Sequence, residues 1–79
     1  MAKYRISIKT SAVGELEGIP DSDRFRVIYR IKGLAEDPRP PECEKLSGYD
    51  KYRLRQGMYS ILYQIQGDEV ILNSAVSRP

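Results

Sequence analysis

Hydrophobic and polar residues alternate most regularly within residues 45–63. Tyr52 and Leu54 fall on one side of an extended chain, and Lys51, Arg53 and Arg55 on the other. Gln56-Gly57 offers a glycine-containing turn. Tyr59, Ile61, Tyr63 and Ile65 then resume the alternation, which predicts a β-hairpin. With Gln56 and Gly57 as a two-residue loop, Arg55 lies opposite Met58, Leu54 opposite Tyr59, Arg53 opposite Ser60 and Tyr52 opposite Ile61. Tyr52, Leu54, Tyr59, Ile61 and Tyr63 then share a buried face, and Arg53, Arg55 and Ser60 the other. A longer, bulged loop shifts the partners by a residue, so the facing is the firmer expectation.

Other segments carry their own periods. Residues 3–9 alternate, with Tyr4, Ile6 and Ile8 on one side and Arg5, Ser7 and Lys9 on the other, as in a half-buried strand. Thr10 and Ser11 are good N-caps, and Ala12, Leu16 and Ile19 follow at helical spacing, so residues 11–18 read as a short helix ended by Gly18. Residues 20–35 support two readings. Phe25, Val27, Tyr29 and Ile31 alternate with arginines as in a strand. As a helix, Phe25, Ile28, Ile31 and Ala35, with Val27 and Leu34, form a wide apolar arc opposite Asp23, Arg26 and Arg30. Pro20 and the acids after it suit a helix start. Pro38, Pro40 and Pro41 make residues 36–44 a stiff extended connector. Gly48 marks the turn into the hairpin, and Gln66-Gly67-Asp68 a second turn. Val70, Ile71 and Leu72 begin a last strand, and residues 73–79 read as a polar tail. With a helix at 20–35 the order is strand, two helices and a three-strand meander: one α+β domain over residues 1–79 with a mainly antiparallel sheet.

Seventy-nine residues leave a core near the lower limit for independent stability, a size that often leans on a partner. The one cysteine, Cys43, cannot form an internal disulfide, which predicts a reducing compartment. Lys3, Arg5 and Lys9 interrupt the start, so no signal peptide is expected, and no run approaches a membrane span. These point to the cytoplasm. Residues 1–44 hold eight basic and eight acidic side chains, and residues 45–79 five and three. The basic excess therefore sits on the hairpin and its approach. It suits a polyanion, and equally a solvated strand face.

Absent residue types narrow the chemistry. Without histidine and with one cysteine, there is no Ser-His-Asp or Cys-His arrangement and no zinc set. No phosphate-binding glycine loop or dinucleotide fingerprint is present, so no cofactor is expected. Arg53 and Arg55, two apart on a strand, can reach one anionic group together through paired donors. They can equally serve only to solubilise the strand. Tyr52, Tyr59 and Tyr63 fall on the core face. Tyr49, in a loop, can stack on a base or anchor the core edge. Glu15 and Glu17 read as surface residues, and Cys43 as inert.

Pro38-Arg39-Pro40-Pro41, Lys45-Leu46-Ser47-Gly48, Tyr52-Arg53-Leu54-Arg55-Gln56-Gly57 and Tyr59-Ser60-Ile61-Leu62-Tyr63 resemble, in order and spacing, the RelE/ParE superfamily of bacterial toxins. So do Ile6 to Ala12, Glu15-Leu16-Glu17 and Ile19-Pro20. The resemblance implies two N-terminal helices on a twisted sheet of about four strands, β-α-α-β-β-β, and so makes residues 20–35 a helix. It implies a cognate antitoxin as partner, and ribosome-dependent cleavage of messenger RNA or, in the ParE branch, gyrase poisoning. Arg53 and Arg55 match the family's two basic strand residues that grip RNA, with Lys45, Lys51 and Arg78 as basic support and Arg78 in part of a basic C-terminal segment. Where RelE-like toxins read Tyr-Arg on the next strand, this chain has Tyr59-Ser60, and no tyrosine follows Tyr63. A homologue weakened in catalysis that mainly binds antitoxin is thus a further expectation.

Overall fold

The computed structural model describes residues 3–46 and 50–77. Five strands form one sheet in the order β1-β5-β4-β3-β2. They are β1 (Arg5–Ile8), β2 (Glu44–Leu46), β3 (Lys51–Gln56), β4 (Tyr59–Gln66) and β5 (Glu69–Ser77), with helices α1 (Thr10–Glu17) and α2 (Asp21–Gly33) between β1 and β2. β1 runs parallel to β5, and every other pairing is antiparallel. The α+β architecture is the expected one. It has one strand more than expected, because the end of the proline-rich connector pairs with β3 as β2.

The β3–β4 turn is Gly57-Met58, closed by the pair Gln56–Tyr59. Gly57 has φ +59°, the conformation a type II′ loop requires at its first position. A Gln56-Gly57 loop of the primed types would instead need a positive φ at Gln56, which L side chains resist. The partners therefore shift: Arg55 faces Ser60, Leu54 faces Ile61, Arg53 faces Leu62 and Tyr52 faces Tyr63. The facing is unchanged. Tyr52, Leu54, Ile61, Tyr63 and Ile65 are buried, with Tyr59 packed against them. Gly67 starts the β4–β5 turn in the same way, with φ +58°.

The helices cover this inner face. Ala12 and Leu16 of α1 pack over β5, and α2 lies against β3 and β4. Lys9, not Thr10 or Ser11, is the N-cap of α1, and no side chain caps it. α2 has Asp21 and Asp23 in its first turn and Arg30 and Lys32 in its last, matching the helix dipole. Its buried stripe is Val27, Ile31 and Leu34. That stripe is narrower than the expected arc, because the two helices divide the sheet between them. Phe25 is therefore outside, at 74% exposure.

Two further departures shape the fold. β5 continues through residues 73–77, where a polar tail was expected, pairing with the first half of β4 past a bulge. β1 stops opposite Leu72, so the last part of β5 has an open edge. Glu15 covers it: its carboxylate accepts the Ala75 N–H at 3.1 Å and the Ser74 hydroxyl at 3.0 Å. Glu15 is thus half-buried, not a surface residue. The proline connector also docks. Tyr63 donates its hydroxyl to the buried Pro38 carbonyl at 2.8 Å, and Arg39 Nε donates to Tyr52 at 2.9 Å. Tyr52 and Tyr63 stack with centroids 5.6 Å apart. Among the described residues no helix is long and apolar enough to cross a membrane.

Burial, with Cys43 beside the phenol, pushes the Tyr63 pKa up from its ordinary 10.0. The folded chain keeps this proton after the unfolded chain begins to lose it. The stabilisation is therefore complete below pH 10.0 and declines as pH rises above it. Replacing Tyr63 with Phe leaves the Pro38 carbonyl without its donor. It is expected to cost about 1–2 kcal/mol in urea unfolding at neutral pH and to flatten the alkaline loss of stability.

Candidate functional site

Among the described residues, the other face of the sheet carries no helix. Its side chains follow from the ladder. One row is Lys51, Gln64, Ile71 and Ser7. The next is Arg53, Leu62 and Ser74, and the next Arg55, Ser60 and Val76. Lys51, Arg53 and Arg55 thus line one strand at two-residue spacing on one face, as the alternation predicts. Leu62 and Ile71 are half-buried between polar neighbours, and Asn73, on the β5 bulge, donates to Gln64 at 3.1 Å.

The two arginines stand in different environments. Arg53 is half-buried and donates to Glu44 of β2 at 2.9 Å, across the directly opposed pair Glu44–Arg53. Glu44 is half exposed, so this bond orients the guanidinium more than it stabilises the fold. Arg55 is exposed and has no ion pair among the described residues. Its cross-strand neighbour Ser60 is buried at 6% exposure. The guanidinium that RelE-like toxins carry at the Ser60 position would therefore stand beside Arg55, not Arg53. Residues on neighbouring rows of one strand lie about 7 Å apart, so Arg53 and Arg55 offer donors to one stretch of a polyanion.

Not every expected residue joins them. Lys45 pairs with Tyr52, whose ring is in the core, so Lys45 leaves on the helix-bearing side. Arg78, Tyr49 and Gly48 lie outside the described residues. The core tyrosines are committed elsewhere: Tyr63 to Pro38 and Tyr52 to Arg39. Glu44 was the residue that reasoning from the pattern missed. Its three-residue strand is too short to show an alternation beside the prolines.

No protein-family model matches the chain, and no curated protein matches it. Solved structures do. The isolated RelE toxin of E. coli superposes with a TM-score of 0.85 at 21% identity, over 96% of this chain and 85% of that one. The toxin–antitoxin complex RelBE2 of Mycobacterium tuberculosis gives 0.83 at 21% identity, over 96% and 99%. The chromosomal ParDE system of P. aeruginosa gives 0.82 at 11% identity, over 98% of each chain. At these identities the likeness is one of fold, and it reaches both toxin branches.

Replacing Arg55 with Ala is expected to weaken binding of a single-stranded RNA oligonucleotide and to lower the slope of log affinity against log salt by about 0.7. Glu44→Gln releases Arg53 from its counter-charge and is expected to tighten the same binding a few-fold at low salt. Fluorescence anisotropy over a salt series reads both.

Proposed function

We propose that this chain, which has the RelE/ParE toxin fold, is the toxin of a toxin–antitoxin pair and cleaves messenger RNA on the ribosome. The observation that carries the RNA reading is Arg53 and Arg55 side by side on the sheet face that, among the described residues, bears no helix. Fold similarity to the E. coli RelE toxin supports the same reading.

The chemistry follows from the charges. The 2′-hydroxyl of one nucleotide gives its proton to water as its oxygen attacks the neighbouring phosphorus; the bond to the 5′-oxygen breaks, leaving a 2′,3′-cyclic phosphate, and the departing 5′-oxygen takes a proton from water. Negative charge accumulates on the non-bridging oxygens between these events. Guanidiniums held at that position stabilise the developing charge more than the starting diester. Both arginines stay protonated throughout, so they act by charge and position and not as acid or base. Lys51, on the same face, adds field to the RNA path, and Arg78 is assigned to the same basic support. Lys45 is left out because it faces the other way. Messenger RNA on ribosomes makes the cytoplasm the working compartment, and a cognate antitoxin restrains the activity.

Primer extension on translating ribosomes tests this. The native chain is expected to cut message within the decoding site, and Arg55→Ala to lower the rate by roughly 10²–10³-fold. Ser60→Arg, which adds a guanidinium beside Arg55, is expected to raise it. Intact message at high protein concentration, with relaxed DNA accumulating in a purified gyrase reaction, would establish the gyrase reading that similarity to ParDE keeps as the rival.

A further inference from the structure

We infer that the cleft at the start of β3 takes a guanine base of the RNA, an inference that rests on the RNA reading above. The cleft has a volume of about 230 Å³ and is lined by Asp50, Lys51, Gln64, Ile65 and Gln66. The ladder places it. Lys51 is directly opposite Gln64, and the Ile65 N–H donates to the Asp50 carbonyl at 3.0 Å, which closes the pairing of the two strands at this end. Lys51, Gln64 and Gln66 project from the outer face, the face of Arg53 and Arg55, and Lys51 stands one row from Arg53. The cleft is therefore the next position along the proposed RNA track. Its size is below the roughly 300 Å³ at which sites for drug-sized ligands begin, so it suits one flat ring system and not a whole nucleotide.

Charge decides what enters it. Arg55, Arg53 and Lys51 make β3 cationic up to this point, and there the sign changes. Asp50 is exposed and is the one acidic residue between Lys45 and Gln66. Glu69 is the cross-strand neighbour of Gln66 and accepts a hydrogen bond from the Ser7 hydroxyl. Asp68, beyond it, is paired with Arg5 at 3.0 Å. Two carboxylates, Asp50 and Glu69, against the Lys51 ammonium repel a further phosphate. The RNA backbone then stays on the arginines, and the group that turns into the cleft is uncharged. The polar atoms select among the bases. Gln64 uses its amide oxygen to accept from Asn73 at 3.1 Å, so its amide hydrogens are the groups it can offer. The cleft thus supplies a carboxylate acceptor at Asp50 and donors at Gln64 and Lys51. Guanine carries two adjacent donors on its Watson–Crick edge, N1–H and the 2-amino group, beside an acceptor, O6. The donor pair matches two carboxylate oxygens, and O6 matches the Gln64 amide and the Lys51 ammonium. Adenine and cytosine set a ring-nitrogen lone pair beside their amino group, which a carboxylate repels, and uracil has one donor between two carbonyls.

The test is fluorescence anisotropy on the full chain with short oligouridine RNAs that carry one central guanine, adenine or inosine, or uridine throughout. The guanine oligonucleotide is expected to bind about 10-fold more tightly than the all-uridine one, within the range for one paired base contact. Inosine, which lacks the 2-amino donor, is expected to lose most of that gain. Arg55→Ala is expected to weaken all four alike. The guanine preference is expected to stay constant over a salt series, because no phosphate takes part in it. Asp50→Asn is expected to remove the difference between guanine and uridine, and Gln64→Met to reduce it, with thermal melting as the check that both variants fold. Equal binding of all four by the native chain overturns the cleft and leaves the RNA reading intact. A preference that survives Asp50→Asn, or one that favours adenine, overturns it as well. Guanosine monophosphate competing as strongly as the guanine oligonucleotide overturns it in favour of a free-nucleotide site. No RNA binding by the native chain overturns the RNA reading and the cleft with it.

Discussion

β4 is the strand on which the rest depends. It has β3 on one side and β5 on the other, with helices over one face, so each successive residue is committed to an opposite environment. Ile61, Tyr63 and Ile65 go inward at 0–5% exposure. Ser60, Leu62 and Gln64 go outward. A slip of one residue would turn Ile61, Tyr63 and Ile65 to the outer face and bring Ser60 and Gln64 under the helices. The two glycines at the ends of β4, both at positive φ, start the two-residue loops that close its hairpins in this register. Every placement of a functional side chain on β3 follows, because β3 reads its facing from β4.

That parity explains why so much was legible in the sequence. Period-two alternation survives any even shift in register. The outward position of Arg53 and Arg55 was therefore correct although every named partner was wrong. What decides the partner is the backbone angle at Gln56, which no hydrophobic pattern records. The helix was legible in place but not in rotation. Seven apolar residues in α2 and just beyond it allow several arcs, and only the division of the sheet between the two helices selects Val27, Ile31 and Leu34. Residues 73–77 looked like a tail because Asn73, Ser74 and Ser77 are polar and Ala75 and Val76 are too few to show an alternation. Their order comes from backbone pairing with β4 and from Glu15, a carboxylate 60 residues away in sequence. Long-range satisfaction of a strand edge leaves no local trace.

The same division separates two surfaces. The outer face holds exposed positive charge on a bed of small and half-buried residues. The inner face is closed by helices and by the proline segment. That segment is fastened through two tyrosine hydroxyls, which removes Tyr52 and Tyr63 from any chemistry with substrate. With Tyr63 raised by burial, its phenol is a structural donor over the whole physiological range.

The exposure of Phe25 and Tyr29 is a consequence of helix geometry and not of loose packing. Phe25 lies two residues from Val27, and Tyr29 two from Ile31, so each aromatic sits about 200° round the helix from its buried neighbour. Turning α2 to bury the aromatics would bring Val27 and Ile31 out, and with them the stripe that holds the helix to β3 and β4. The fold can use one stripe or the other, and it uses the aliphatic one. Two rings on the far side then contribute nothing to the core of this small domain, where each buried large side chain contributes about 1.5–3 kcal/mol. Serine or lysine at those positions would serve folding as well and solubility better. The exposure of Phe25 and Tyr29 is set by the aliphatic stripe on the opposite side of α2, which claims the sheet, and not by the rings themselves.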